Sequence, residues 1–129
     1  MYPPQLSFIP VTIALARFAE ASGFDGLYPY WYLGTTPVKY LTGPVAPAIM
    51  IFLHKVWPQF SFFEISYFVI IASQLVAAVG WGFLAFWLAG KRIAGYWVGI
   101  LVLVLPWHWV SSLGLGEVSA VLAGALTPW

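Results

Sequence analysis

Apolar positions run almost without a break from Phe62 to Ala89. Apart from Tyr67, the polar side chains in that stretch are Glu64, Ser66, Ser73 and Gln74. The spacing of apolar residues predicts a helix of 28 residues. At 1.5 Å per residue it would be about 42 Å long. A bilayer core of about 30 Å needs only about 20 residues, so the helix must tilt or emerge at one end. Glu64 puts its first turn at the interface. A second apolar run, Ile93 to Val110, is also long enough to span, with a kink expected at Pro106. Gly90-Lys91-Arg92 lies between the runs and reads as a tight polar turn. The pattern predicts a membrane-crossing helical hairpin, about 62–89 and 93–110. Leu113 to Trp129 is apolar but short, contains Glu117, and looks like a third membrane helix cut off before completion.

Proline divides the chain. Eight of its ten prolines lie at or before Pro58, and none between Pro58 and Pro106. A proline inside a helix costs about 3 kcal/mol, so uninterrupted helix is expected only after Pro58. Before it, Val11–Ala21 forms a short helix. Arg17 and Glu20 share one side of that helix, as in an interfacial amphipathic helix. A second short helix, Ala46–Val56, ends at Trp57-Pro58 and also belongs at the interface. Between them, residues 23–47 are too punctuated by proline and glycine for regular structure. Irregular backbone cannot face lipid, so this loop lies outside the hydrocarbon or against protein. Loops of this length are often functional. The N-terminus lacks a basic n-region, and Pro10 breaks its apolar run, so insertion rests on the later segments.

Composition agrees with this pattern. The 129 residues are 62% hydrophobic and 7% charged, against about 25% charged in soluble domains. So few charges cannot clothe a folded surface in water. The expected fold class is an all-α integral membrane protein. It forms a single membrane domain over 1–129, with interfacial helices and a loop in 1–60 and transmembrane helices in 61–129. A net charge of +1 provides no basic field, so nucleic acid is not an expected partner. The absence of cysteine excludes disulfides, thiolate metal sites and cysteine nucleophiles.

Tryptophans fall at both ends of the predicted hairpin. Trp87 and Trp97 flank the Lys91-Arg92 turn, and Trp57, Trp107 and Trp109 lie at the other end, as two interfacial girdles would. Gly95 and Gly99 form a small-xxx-small pair that lets helices approach closely, a spacing that also arises by chance in glycine-rich chains.

No metal-ligand spacing, phosphate loop or hydrolase motif occurs, and neither a metal nor a cofactor is expected. Asp25 lies between Gly23 and Gly26, just before Tyr28-Pro29-Tyr30-Trp31-Tyr32. A carboxylate beside aromatics suits sugar binding and general-base work; equally, an aspartate here can bond its own backbone in a turn. His108, between two tryptophans, reads as an interfacial residue or as a porphyrin ligand. The candidate site is Asp25 as catalytic base, with Tyr30, Trp31, Tyr32, Lys39 and Tyr40 lining a concave, wet surface for substrate, Lys39 as a phosphate contact. Aromatic rings stabilise by about 1.5–3 kcal/mol each when buried, and Tyr and Trp carry polar tips that need partners.

Residues 26–49 resemble the first large extracytoplasmic loop of polytopic GT-C-type glycosyltransferases. Trp31-Tyr32-Leu33-Gly34, then Tyr40-Leu41-Thr42-Gly43-Pro44, then Pro47 follow that loop's order. The resemblance implies a transferase acting at the extracytoplasmic face with a lipid-linked or nucleotide sugar. The family's first membrane helix and its many later helices have no counterpart in this chain. The resemblance therefore implies that this chain is an N-terminal portion of a larger protein, inactive alone. It also puts residues 23–60 outside the cytoplasm and the Lys91-Arg92 turn inside, in a multi-pass protein of the cell membrane. Charge density in the short turn points the same way. The competing expectation is a small non-catalytic subunit packed against other membrane subunits. Either way the bilayer is the first partner.

Overall fold

The computed structural model describes residues 8–27, 44–110 and 118–129, with Trp107 and His108 described by backbone alone. Among these residues the secondary structure is entirely helical: α1 (Ile9–Ser22), α2 (Val45–Val56), α3 (Phe62–Ala89), α4 (Arg92–Val104), α5 (Pro106–Trp109) and α6 (Val118–Leu126). One of them, α3, is long and apolar enough to cross a membrane.

The helix α1 begins two residues earlier than expected. Pro10 sits in its first turn, where a backbone N–H is not needed and proline is tolerated. Ile9, Thr12, Leu15, Ala16 and Ala19 form its buried stripe, while Arg17 and Glu20 are exposed. Both ends of α2 also obey local rules. Pro44 precedes the helix and Pro47 lies in its first turn. His54 and Lys55 occupy its last turn, where cations complement the helix dipole.

The start of α3 is set by a capping box. The Ser61 backbone N–H and hydroxyl both donate to Glu64 Oε2 at 2.8 Å, and the Glu64 N–H donates to Ser61 Oγ at 3.3 Å. This reciprocal pairing satisfies donors that a helix otherwise leaves orphaned. The end is equally plain: Gly90 adopts a left-handed φ of 63° and its N–H bonds the Phe86 carbonyl. Lys91 is extended and α4 follows at once.

Along α3 three polar side chains are buried beside the apolar core, and many large apolar ones are exposed. Ser66, Ser73 and Gln74 are at most 5% exposed. By contrast Phe68, Ile71, Leu75, Val79, Phe83, Trp87 and Leu88 are all exposed, Leu88 to 70%. The buried hydroxyls are satisfied within the helix: Ser66 donates to the Phe63 carbonyl and Ser73 to that of Val69, each at 2.7 Å.

Two apolar clusters meet on α3. Its first half packs with α1, α2 and Val118 of α6 through Ile9, Ala16, Met50, Ile65, Val69 and Ile70. Its second half packs with α4 and α6 through the smaller Ala77, Ala78, Val102 and Ala125. Ala78 faces Gly99 and Gly82 faces Gly95. Positions rising along α3 meet positions falling along α4, so the two helices are antiparallel.

The second apolar run is broken rather than kinked. The helix α4 stops at Val104, Leu105 turns extended with ψ 119°, and α5 restarts at Pro106. A residue before proline is driven out of the helical region by the proline ring. The break frees the Leu103 carbonyl, which accepts from the Trp109 indole N–H. The third apolar segment contributes only α6, and residues 111–117 before it lie outside the described part.

Candidate functional site

Of the six residues predicted to form a site, the structure describes Asp25. Tyr30, Trp31, Tyr32, Lys39 and Tyr40 lie outside the described residues. Asp25 is exposed, in a turn that leaves α1. Its neighbour Phe24 packs against the core cluster and so fixes the turn to the helices. The turn is closed through the backbone, with the Gly26 N–H donating to the Gly23 carbonyl at 3.4 Å. Asp25 therefore stands at the solvent edge where the candidate loop begins.

His54 has a structural partner. Its Nδ1 lies 3.0 Å from the Phe60 carbonyl oxygen, and its ring lies 4.5 Å from that of Phe62, centroid to centroid. It thereby ties the last turn of α2 to the start of α3. Trp57 meets Phe68 edge-on at 6.4 Å. Among the described residues no three His, Asp or Glu side chains gather as a metal site would require.

The corner made by these contacts encloses a cavity of about 330 Å³ lined by Leu53, Trp57, Phe60, Glu64, Ile65 and Phe68. Its single ionisable group, Glu64, is already engaged by Ser61. A larger groove of about 580 Å³ lies between α3 and α4. Gly82, Gly95 and Gly99 line it together with Val79, Phe83, Phe86, Tyr96 and Ile100, and Arg92 is its one charged residue.

Two signals for these features were present in the sequence. Ser61-Phe62-Phe63-Glu64 has the capping-box pattern before an apolar run. Ala78 and Gly82 have the same four-residue spacing as Gly95 and Gly99, and these four residues form the α3–α4 contact. At the end away from the Lys91-Arg92 turn, Trp57 is exposed. Trp87 and Trp97 beside the turn are 71% and 61% exposed, whereas Trp109 is half-buried.

No family model, curated protein or solved structure matches the chain. Among the described residues the fold defines an all-helical chain built around one long apolar helix.

Proposed function

We propose that this chain is a multi-pass integral membrane protein in which α3 and α4 form a transmembrane hairpin. We further propose that it supplies the N-terminal membrane part of a GT-C-like glycosyltransferase. The membrane reading is carried by the broad exposed apolar surface of α3. The helix buries Ser66, Ser73 and Gln74 and exposes Phe68, Leu75, Val79, Phe83, Trp87 and Leu88. In water such a surface is a liability; against hydrocarbon it is the stable arrangement. The catalytic reading rests on the loop resemblance, and the exposed position of Asp25 at the mouth of that loop supports it. In this arrangement the loop faces the extracytoplasmic side and takes a lipid-linked sugar, while Lys91 and Arg92 lie in the cytoplasm.

The test has three parts. Membranes containing the chain are extracted with alkaline carbonate, and the chain should stay with the lipid; release would sink the membrane reading. On intact cells, a cysteine replacing Thr36 should react with an impermeant thiol reagent and one replacing Lys91 should not. Sugar transfer from a lipid-linked donor by the assembled protein then tests the activity.

A second reading is a non-catalytic subunit of a membrane complex. Both described cavities favour it, since among the described residues each has a largely apolar lining with one charged residue, Glu64 or Arg92. Purification of the chain with partner subunits and without transfer activity would select it.

A further inference from the structure

The groove between α3 and α4 has a definite length and polarity. Arg92 and Leu103 both line it, one near each end of α4, and eleven helical rises separate them by about 17 Å. Half of a bilayer core of about 30 Å is about 15 Å, so the groove matches one leaflet in depth. The space measures about 580 Å³ and lies open along one side. It fits a single extended hydrocarbon chain.

The polarity is one-sided. Lys91 and Arg92 are both exposed at the end that meets the turn. Among the described residues no acid lines the groove. The first turn of α4 carries no acid either, and Lys91 makes no side-chain cap. Uncapped N–H groups at a helix start attract anions. Tyr96, 71% exposed, is also in the lining, one turn further along.

We propose that this groove seats one acyl chain of an anionic phospholipid, with its phosphate held at the Lys91-Arg92 end. The inference rests on the membrane reading above, and it identifies a lipid of the leaflet that contains the turn. Walls of Phe83, Phe86 and Ile100 hold the chain against the glycine floor. The two cations select the head group.

The test uses the full chain in phosphatidylcholine vesicles doped with a phosphatidylglycerol that carries a photoreactive diazirine in mid-chain. Label should concentrate on Val79, Phe83, Tyr96 and Ile100. Unlabelled phosphatidylglycerol should compete; extra phosphatidylcholine and inorganic phosphate should not. The pair Lys91→Gln and Arg92→Gln should reduce labelling on the order of tenfold, because each surface cation contributes to holding an anionic lipid. Ile100→Trp, at a half-exposed position, should fill the groove and displace the label while leaving both cations. Even labelling of Trp87, Leu88 and Ile93 would reduce the site to bulk lipid and overturn the proposal while leaving the membrane reading intact. Photocrosslinks between two copies across the groove would overturn it in favour of self-association. Release of the chain from the same vesicles by carbonate would overturn both readings.

Discussion

Gly82 and Gly95 meet backbone to backbone. A Cβ built on Gly95 would lie 2.8 Å from the Gly82 carbonyl oxygen, and one on Gly82 would lie 2.9 Å from that of Gly95. Neither contact can relax by moving a side-chain tip, so the helices themselves would have to part. At Gly99 the nearest atom, the Ala78 carbonyl oxygen, is 3.2 Å away. Gly95→Ala and Gly82→Ala should each destabilise the helix pair by about 1–3 kcal/mol, the usual cost of overpacking, and Gly99→Ala by less. Reversible unfolding in detergent micelles would measure the order. A neutral Gly95→Ala would show that this register is wrong.

The last helix offers a contrast. A Cβ on Gly124 would meet nothing within 4 Å, and glycine in a helix interior costs about 1 kcal/mol relative to alanine. Gly124→Ala should therefore stabilise by up to that amount. On the same helix, Ser119 Oγ is buried without a hydrogen-bond partner. Leaving a buried hydroxyl unpaired costs about 1–3 kcal/mol, so Ser119→Ala should be neutral or stabilising. A clear loss of stability in Ser119→Ala would mean that the hydroxyl has a partner after all.

The start of α3 depends on one serine. Ser61→Ala removes the acceptor for the Glu64 N–H and a donor to the Glu64 carboxylate. Such caps contribute about 0.5–2 kcal/mol. Amide hydrogen exchange should quicken through the first turn of α3, at Phe62 to Ile65, and remain unchanged around Ala77. Uniform exchange along the helix would assign the boundary to packing alone.

How far the sequence showed the fold can be judged from α3 and α4. Both ends of α3 were legible because local chemistry marks them: an acid near the start, then Gly90 before two cations. The far end of α4 was partly legible. Pro106 signalled a bend, but the effect falls on Leu105, whose backbone leaves the helix. The α3–α4 groove was hidden for a different reason. Both helices are apolar on nearly every side, so no stripe tells which faces meet. Only the paired small residues, Ala78 with Gly82 and Gly95 with Gly99, carry that information, and half of the set is easily passed over. For the candidate site, Asp25 lies in a turn between glycines, while the aromatic residues from Tyr30 to Tyr40 lie outside the described residues.

Asp25 is where the catalytic reading can be decided. A general base must be accessible to its substrate, and must be held by a scaffold that does not itself occupy the carboxylate. Asp25 meets the first condition by its exposure. It meets the second because Phe24 anchors the turn and the backbone bond from Gly26 to Gly23 closes it. Asparagine keeps the size of the side chain and removes only its basicity. If Asp25 is a general base, Asp25→Asn should lower sugar transfer by the assembled protein by about 10²-fold or more, the usual contribution of such a group. Retention of the protein in the membrane should be unchanged. Transfer at the wild-type rate would return Asp25 to the role of a turn residue. Trp31→Ala separates the remaining alternatives. If the loop binds sugar, transfer should fall while the complex stays intact. If the loop is instead a docking surface for another subunit, Trp31→Ala should release the chain from the purified complex, with no transfer activity to lose.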